Sequence, residues 1–197
     1  VDALRVAGEL ENTVIVFTSD NGFLQGEHRV LPDKGKGLPY EPSARVPLVM
    51  RGPGMPRGRH VRDLVTNVDL APTFLALAKA TPGRVLDGRS LLPLARDRLA
   101  DFGRDVLFES VNYVAIRTDR YVYVSYYRKQ GRELYDLKLD PFQLRSRHAD
   151  RALRPVRDEL TRRLFGLGTC FGDNCRAEPR LGLRLEALPG GRVRADV

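Results

Sequence analysis

Apolar positions in the opening stretch, "DALRVAGEL", recur at helical spacing: Ala3, Leu4, Ala7 and Leu10. They predict the last turns of an amphipathic helix. "TVIVF", Thr13–Phe17, is a short β-branched run that predicts a buried central strand, parallel to its neighbours. Periodicity then stops. Ser19 to Tyr40 is polar and glycine-containing, and a loop that long inside a compact domain is usually functional. Val46–Met50 predicts a second buried strand, which Pro and Gly in "RGPGMPRG" end. "NVDLAPTFLALAKATPG" predicts a helix with Asp69 as N-cap, Pro72 in the first turn and Gly83 beyond the end. Its apolar face would be Leu70, Phe74, Leu77 and Ala78. "VLDGRSLLPLARDR" then winds over the surface.

From Arg104 the pattern shortens to alternation. "DVLFESV", "YVAIRT", "RYVYVSYY" and "RELYDL" predict an antiparallel meander. Leu153, Val156, Leu160 and Leu164 form the stripe of a helix that should pack on it. The fold class is therefore α/β for residues 1–103. An antiparallel sheet-plus-helix subdomain follows over 104–170, then an irregular Gly/Pro/Arg-rich tail over 171–197.

Hydrophobic residues make up 42% of the 197, enough to bury a core. No apolar run approaches the roughly 20 residues that span a bilayer, so no transmembrane segment is expected. The first residues lack the layout of a signal peptide, and there is no initiator Met. With the mid-helix opening, these features are those expected of a fragment. Net charge is +8, which raises nucleic acid as a partner. The excess, however, is mostly Arg interspersed with acids, as in "ADRALRPVRDELTRRL", the pattern of a solvated helix face. No basic run interleaves with aromatics, so nucleic acid is not expected, whereas an anionic substrate suits the bias. The two cysteines stand in "TCFGDNCR", with the wrong spacing for a zinc knuckle and no second pair to complete four ligands. The leading expectation is a small disulfide loop, Cys170–Cys175, which implies an exported (secreted or periplasmic) protein. Two free thiols are the alternative.

The strand that ends at Phe17 runs into "SDNG". Asn-Gly is a hairpin signal, but "FLQGEHRVLPDKGKG" supplies no paired alternating strand. Ligand sites in α/β sheets lie beyond the carboxyl ends of strands, and Asp20 and Asn21 there would be hard oxygen ligands for Ca²⁺ or Mg²⁺. On the residues alone, both readings stand. Lys34 and Lys36 lie in the glycine-rich "DKGKGLPYE", where an ammonium can reach an oxyanion. His28, in "GEHR", is a candidate proton donor. Glu41 and Arg45 would hold the loop by an ion pair.

At these residues the chain resembles the sulfatase family. "VIVFTSDNGFLQGEHR", "KGLPYEPSARVPLVMRGPG", "NVDLAPTFLALA" and "DGRSLLPL" are similar to the second half of its catalytic domain. "YVAIRTDRYVYV" and "ELYDLKLDPFQL" are similar to its C-terminal subdomain. The nearest flavour is the N-acetylglucosamine-6-sulfatase and arylsulfatase branch. The resemblance implies the C-terminal part of an alkaline-phosphatase-like sandwich and metal-assisted cleavage of a sulfate ester, on a sulfated sugar or an aryl sulfate. It implies Asp20 and Asn21 as ligands of Ca²⁺, with Mg²⁺ less expected. Lys36, four residues before Tyr40, would contact the sulfate, with Lys34 a secondary contact and His28 a contact in the variable part of the site. A cation and a Lys would neutralise and orient the sulfate and stabilise charge on the leaving oxygen. The family's nucleophile is a formylglycine made within "C/S-x-P-S/A-R", which neither cysteine nor any serine here matches, so it is expected upstream of Val1. Two alternatives remain: an inactive sulfatase-like fragment that binds anionic sugars, and a phosphodiester or phosphonate hydrolase of the same superfamily.

Overall fold

The computed structural model describes residues 1–128, 131–176, 184–187 and 193–196. Its first half holds α1 (Asp2–Val6), β1 (Ile15–Thr18), α2 (Glu41–Ala44), β2 (Leu48–Arg51), α3 (Leu70–Ala78) and α4 (Leu92–Arg96). The second holds β3 (Val106–Glu109), β4 (Tyr113–Arg117), β5 (Tyr121–Tyr126), β6 (Arg132–Asp136), α5 (Arg154–Gly168) and α6 (Asp173–Arg176), then β7 (Arg184–Ala187) and β8 (Val193–Asp196).

The meander forms as its alternation predicts: β3 to β6 make a four-stranded antiparallel sheet in sequence order. Its two faces are built from alternate residues of the same strands. Ile116, Tyr121, Tyr123 and Leu134 face α5 and pack against Leu153, Val156, Leu160 and Leu164. Tyr113, Ala115, Val122, Val124 and Tyr135 line the opposite face, where Tyr40 from the long loop packs. Val156 and Leu160 are wholly buried, and truncating either to Ala removes about 2–5 kcal/mol by lost burial and the cavity left behind.

The first half departs from its pattern in several places. β1 is not parallel to a neighbour: it pairs antiparallel with β2 in a two-stranded sheet, Ile15 opposite Arg51 and Thr18 opposite Leu48. Neither strand is fully buried, and Phe17 and Val49 are exposed, because no described element covers that face. β-branched residues specify an extended chain without specifying its partner or its cover. α1 buries none of its residues; Gly8, at φ 75°, ends it, and Leu10 alone of the stripe is buried, in a following 3₁₀ turn. Asp69 stands at the N-cap position of α3, as expected, but its side chain does not cap that helix. Thr66 caps the turn in a capping box whose third position is Asp69, and the Asp69 carboxylate accepts from the Thr66 backbone N–H at 2.9 Å. On α3, Phe74 is exposed and Thr73 is the buried residue, its hydroxyl accepting from the Leu91 N–H at 2.8 Å. "SLLPLARDR" is not surface wrapping either: Leu91 and Leu94 form a small core with Phe102, against Leu48, Met50 and Leu70.

In the tail, Cys170 and Cys175 form a disulfide with Cα atoms 5.0 Å apart. The loop they close docks on the first half, where the Gly172 N–H donates to Asp87 at 2.7 Å. The tail is not irregular throughout. It holds α6 and the antiparallel pair β7–β8, Arg184 opposite Asp196, short runs of the kind that two strands can pair.

Candidate functional site

The polar loop that leaves β1 does not turn back at Asn21. β1 pairs with a strand that begins at Leu48, so Asp20 and Asn21 stand at the start of a long excursion and not in a two-residue hairpin. Two glycines fold that excursion tightly. Gly22 donates its N–H to the Ser43 carbonyl at 2.9 Å, and a Cβ there would overlap the Pro42 carbonyl oxygen. The Gly35 carbonyl accepts from the Leu24 N–H at 3.0 Å, and a Cβ there would overlap the Leu24 carbonyl oxygen. Leu24, fully buried, is the apolar plug of the loop. Backbone approaches this close exclude any side chain.

These contacts carry Lys36 back towards the end of β1. Asp20 is exposed, and its carboxyl is held below the ordinary carboxylate range. The backbone N–H of Asn21 is the main cause; the positive charge of Lys36 and the Ser19 hydroxyl add to it, against an opposing desolvation. The Ser19 hydroxyl lies 3.3 Å from Asp20 Oδ1 and 2.9 Å from the Asn21 carbonyl oxygen. Asn21 donates its Nδ2 to the Gly22 carbonyl at 2.6 Å, so its amide oxygen is not the atom used in that bond. The loop thus brings together a carboxylate, an amide oxygen and an ammonium. Lys34 is exposed at the end of a 3₁₀ turn and takes no part in the interactions of Asp20. Among the described residues, no three of His, Cys, Asp and Glu converge to hold a metal ion. Asp20 and Asn21 fit a hard divalent cation as two oxygen donors of the six to eight that Ca²⁺ takes.

His28 lies on the other flank of the loop. Its backbone is left-handed, φ 55°, and its ring stacks on Tyr40 with centroids 3.9 Å apart and planes 8° from parallel. Tyr40 in turn belongs to a cluster that sequence reasoning did not find. Three phenols meet the Glu133 carboxylate of β6: Tyr135 at 3.0 Å, Tyr126 at 3.4 Å and Tyr40 at 3.5 Å. Burial and the Glu133 charge raise all three phenols above the ordinary range, and burial pushes neighbouring Tyr113 up to about 12. They remain neutral donors at any physiological pH. Glu41 is anchored the same way. Its backbone N–H donates to Gln143 Oε1 at 2.7 Å, and its carboxylate accepts from Arg117 Nε at 2.8 Å. Its pairing with Arg45, expected to hold the loop, is a looser 3.7 Å contact to a largely exposed guanidinium. Gln143, buried, also donates to the Pro39 carbonyl at 3.3 Å. The small sheet therefore clamps the loop that carries Lys36, Tyr40 and His28. Alternation in "RELYD" puts Glu133 and Tyr135 on one face, the only sequence signal for this clamp.

Comparison with known proteins agrees with this arrangement. The chain is 46% identical over 95 residues to the extracellular sulfatase SULF-1 homolog of Drosophila melanogaster, a match covering 48% of this chain and 8% of that protein. A solved structure of a protein in complex with its substrate D-glucosamine-2-N,6-O-disulfate superposes with a TM-score of 0.75 at 30% identity, covering 83% of this chain and 35% of that one. The phosphonate monoester hydrolase of Agrobacterium radiobacter superposes with a TM-score of 0.73 at 26% identity, covering 100% of this chain and 41% of that one. The chain spans well under two thirds of the length of each. The fold is the C-terminal part of an alkaline-phosphatase-like sandwich with a small antiparallel sheet beside it. The family model described as N-sulphoglucosamine sulphohydrolase, C-terminal, matches residues 26–169, and the chain belongs to the sulfatase family.

Proposed function

We propose that this chain supplies the metal- and sulfate-facing side of a sulfatase active site, acting on the sulfate ester of an amino sugar. One observation carries the reading: the close backbone approaches at Gly22 and Gly35 fold the segment from Asp20 to Lys36 back on the end of β1, where the Lys36 charge helps hold the exposed Asp20 carboxyl low. A cation and an oxygen-ligand pair in one loop suit a small oxyanion. Asp20 and Asn21 would hold a divalent cation, with Ca²⁺ favoured by the all-oxygen donor pair; once bound, the cation polarises the sulfate ester. Lys36 binds a sulfate oxygen and neutralises part of its charge. His28, fixed by its stack on Tyr40, presents its ring to the substrate beside the sulfate, with Lys34 an outer contact. The clamp from Glu133, Gln143 and Arg117 holds the loop to one geometry, so these groups need not reorganise when charge develops. The relative bound to a disulfated glucosamine supports a sulfated sugar as substrate.

The formylglycine nucleophile has no matching motif in residues 1–197. Under this reading it belongs to the longer protein, and residues 1–103 and 104–170 are the catalytic portion and its supporting subdomain. The disulfide and the relative named an extracellular sulfatase support export. Among the described residues no helix is long and apolar enough to cross a membrane. The phosphonate hydrolase that matches across this whole chain favours a second reading, cleavage of phosphonate monoesters.

The test uses a version extended to the length of the relatives, assayed on an aryl sulfate and an aryl phosphonate. Lys36→Ala should lower kcat/KM by about 10²–10³-fold, as for a lost oxyanion donor, with Lys34→Ala within a few-fold of the parent. Chelation of divalent metal should abolish turnover and Ca²⁺ restore it. Turnover that survives Lys36→Ala would remove this residue from the mechanism. Faster phosphonate than sulfate turnover would choose the second reading.

A further inference from the structure

A second charged feature lies on the opposite face of the small sheet from Tyr40 and Glu133. Along β6 the side chains alternate, so Arg132 shares the α5 face with Leu134 while Glu133 and Tyr135 take the other. There a cavity of about 270 Å³ opens between the sheet and the start of α5, lined by Tyr123, Arg132, His148, Arg154, Arg157 and Asp158 among others. It is a little below the roughly 300–1,000 Å³ of small-molecule sites.

The charges around it do not balance. Asp158 is the single carboxylate of the lining, and it pairs loosely with Arg154 at 3.7 Å, both side chains mostly exposed. Arg157 donates Nη1 to the backbone carbonyls of His148 and Asp150, the latter at 3.3 Å. Those bonds fix the guanidinium, and the Asp150 carboxylate that feels its charge is itself paired with Arg147 at 2.6 Å. Arg132 has no ion pair among the described residues. Among the described lining residues, three guanidiniums therefore face one carboxylate. His148, between them, has a buried Nδ1 without a hydrogen-bond partner. Its pKa is lowered by burial first and then by Arg157 and Arg132, as expected where positive charge converges. A buried polar atom such as His148 Nδ1 is seldom left without a partner, and guanidinium forks suit tetrahedral oxyanions.

We propose that this cavity is an anion site for a sulfate group, separated from the Asp20–Lys36 loop by the thickness of the sheet. Arg157 is its fixed donor, and Arg132 and Arg154 are mobile donors that close on the anion. Inorganic sulfate and a sulfate carried on a sugar chain present the same oxygens, and the experiment separates them.

The 197-residue chain is titrated calorimetrically with sodium sulfate, with sodium chloride at matched ionic strength, with a heparin-derived tetrasaccharide and with its desulfated counterpart. Saturable binding of sulfate, absent with chloride, is expected. It should weaken at least tenfold in Arg132→Ala and in Arg154→Ala, both exposed positions whose loss leaves the fold intact. Arg157 is left in place because it bonds two backbone carbonyls. The Arg-dependent binding should persist in Lys36→Ala, and any sulfate binding at the loop should be lost in Lys36→Ala and kept in the Arg variants, which separates the two sites. Tighter binding of the tetrasaccharide than of free sulfate, lost on desulfation, identifies the sugar-borne group; equal binding identifies the free ion. No saturable sulfate binding, or binding wholly lost in Lys36→Ala and kept in full in both Arg variants, overturns the proposal.

Discussion

Asp105 shows how one residue ties stability to pH. It sits just before β3, its side chain 6% exposed beneath Arg163 of α5, to which it is ion-paired. Burial raises its pKa to about 6, with Arg163 opposing and the charges of Asp119 and Glu159 adding to the rise. The folded protein therefore holds this proton more tightly than the unfolded chain, whose Asp titrates near 3.8. Below that value its contribution is fully present; as pH rises through about 6 it is lost. The magnitude is on the order of 3 kcal/mol, from roughly two pKa units at about 1.4 kcal/mol each. Asp20, Glu27 and Asp150 shift the other way, so the total curve hides this slope. Denaturant unfolding of wild type and Asp105→Asn at a series of pH values isolates it. The stability difference, wild type minus variant, should fall between pH 4 and 6.5; a flat difference would show that Arg163 keeps the carboxyl ionised.

At the scale of elements, the turn into α3 depends on a buried ion pair. Asp69 is fully buried and accepts from the Thr66 and Arg89 backbone N–H groups and from the guanidinium of Arg104, itself 6% exposed. Asp69→Ala removes the capping-box acceptor and leaves Arg104 charged and unpaired beside Phe102. A loss of about 3–5 kcal/mol is expected, read as a lower urea midpoint at unchanged slope. A loss under 1 kcal/mol would mean that water reaches Arg104. The same residue marks the limit of sequence reading. "TNVD" carries the capping-box spacing, but nothing in it points to Arg104, which lies across the fold. The meander and α5 were legible because periods of 2 and 3.6 report directly which residues share a face: Leu153, Val156, Leu160 and Leu164 all reach the core. β1 and β2 were legible as strands but not as an antiparallel pair, since a β-branched run encodes extension and not direction. In the loop, Asp20 and Lys36 could be suspected of meeting because one glycine-rich segment joins them. Glu133, Gln143 and Arg117 could not, because Glu41 and Gln143 are 102 positions apart in sequence.

For the whole molecule, the face made by β1 and β2 decides how the chain behaves in solution. Phe17 and Val49 are directly opposite in the register, 64% and 59% exposed. Such a cross-strand apolar pair gains its stability by being covered. Each strand also leaves one edge unpaired among the described residues, and a two-stranded sheet is marginal in water. Phe74 and Val68, 48% and 51% exposed, add apolar surface elsewhere in the first half. The sheet of the second half is not open in this way: it is covered by α5 on one face and meets the loop at Tyr40 on the other, and the exposed Leu139, Phe142, Leu144 and Phe165 lie off it, on the turn after β6 and on α5. Association of the 197-residue chain should therefore run through the first half. Sedimentation velocity should show concentration-dependent oligomers that bind a hydrophobic dye. Val49→Lys, which charges the centre of the exposed pair and blunts the strand edge, should shift the chain towards monomer while leaving the near-UV signal of the tyrosine cluster intact. The same substitution in a version extended to the length of the relatives should instead destabilise the protein, because the introduced ammonium would then be buried under whatever covers β1 and β2. A chain that is monomeric at all concentrations, with Phe17 and Val49 exposed, would show that this face needs no cover. A substitution neutral in both versions would show that it has none.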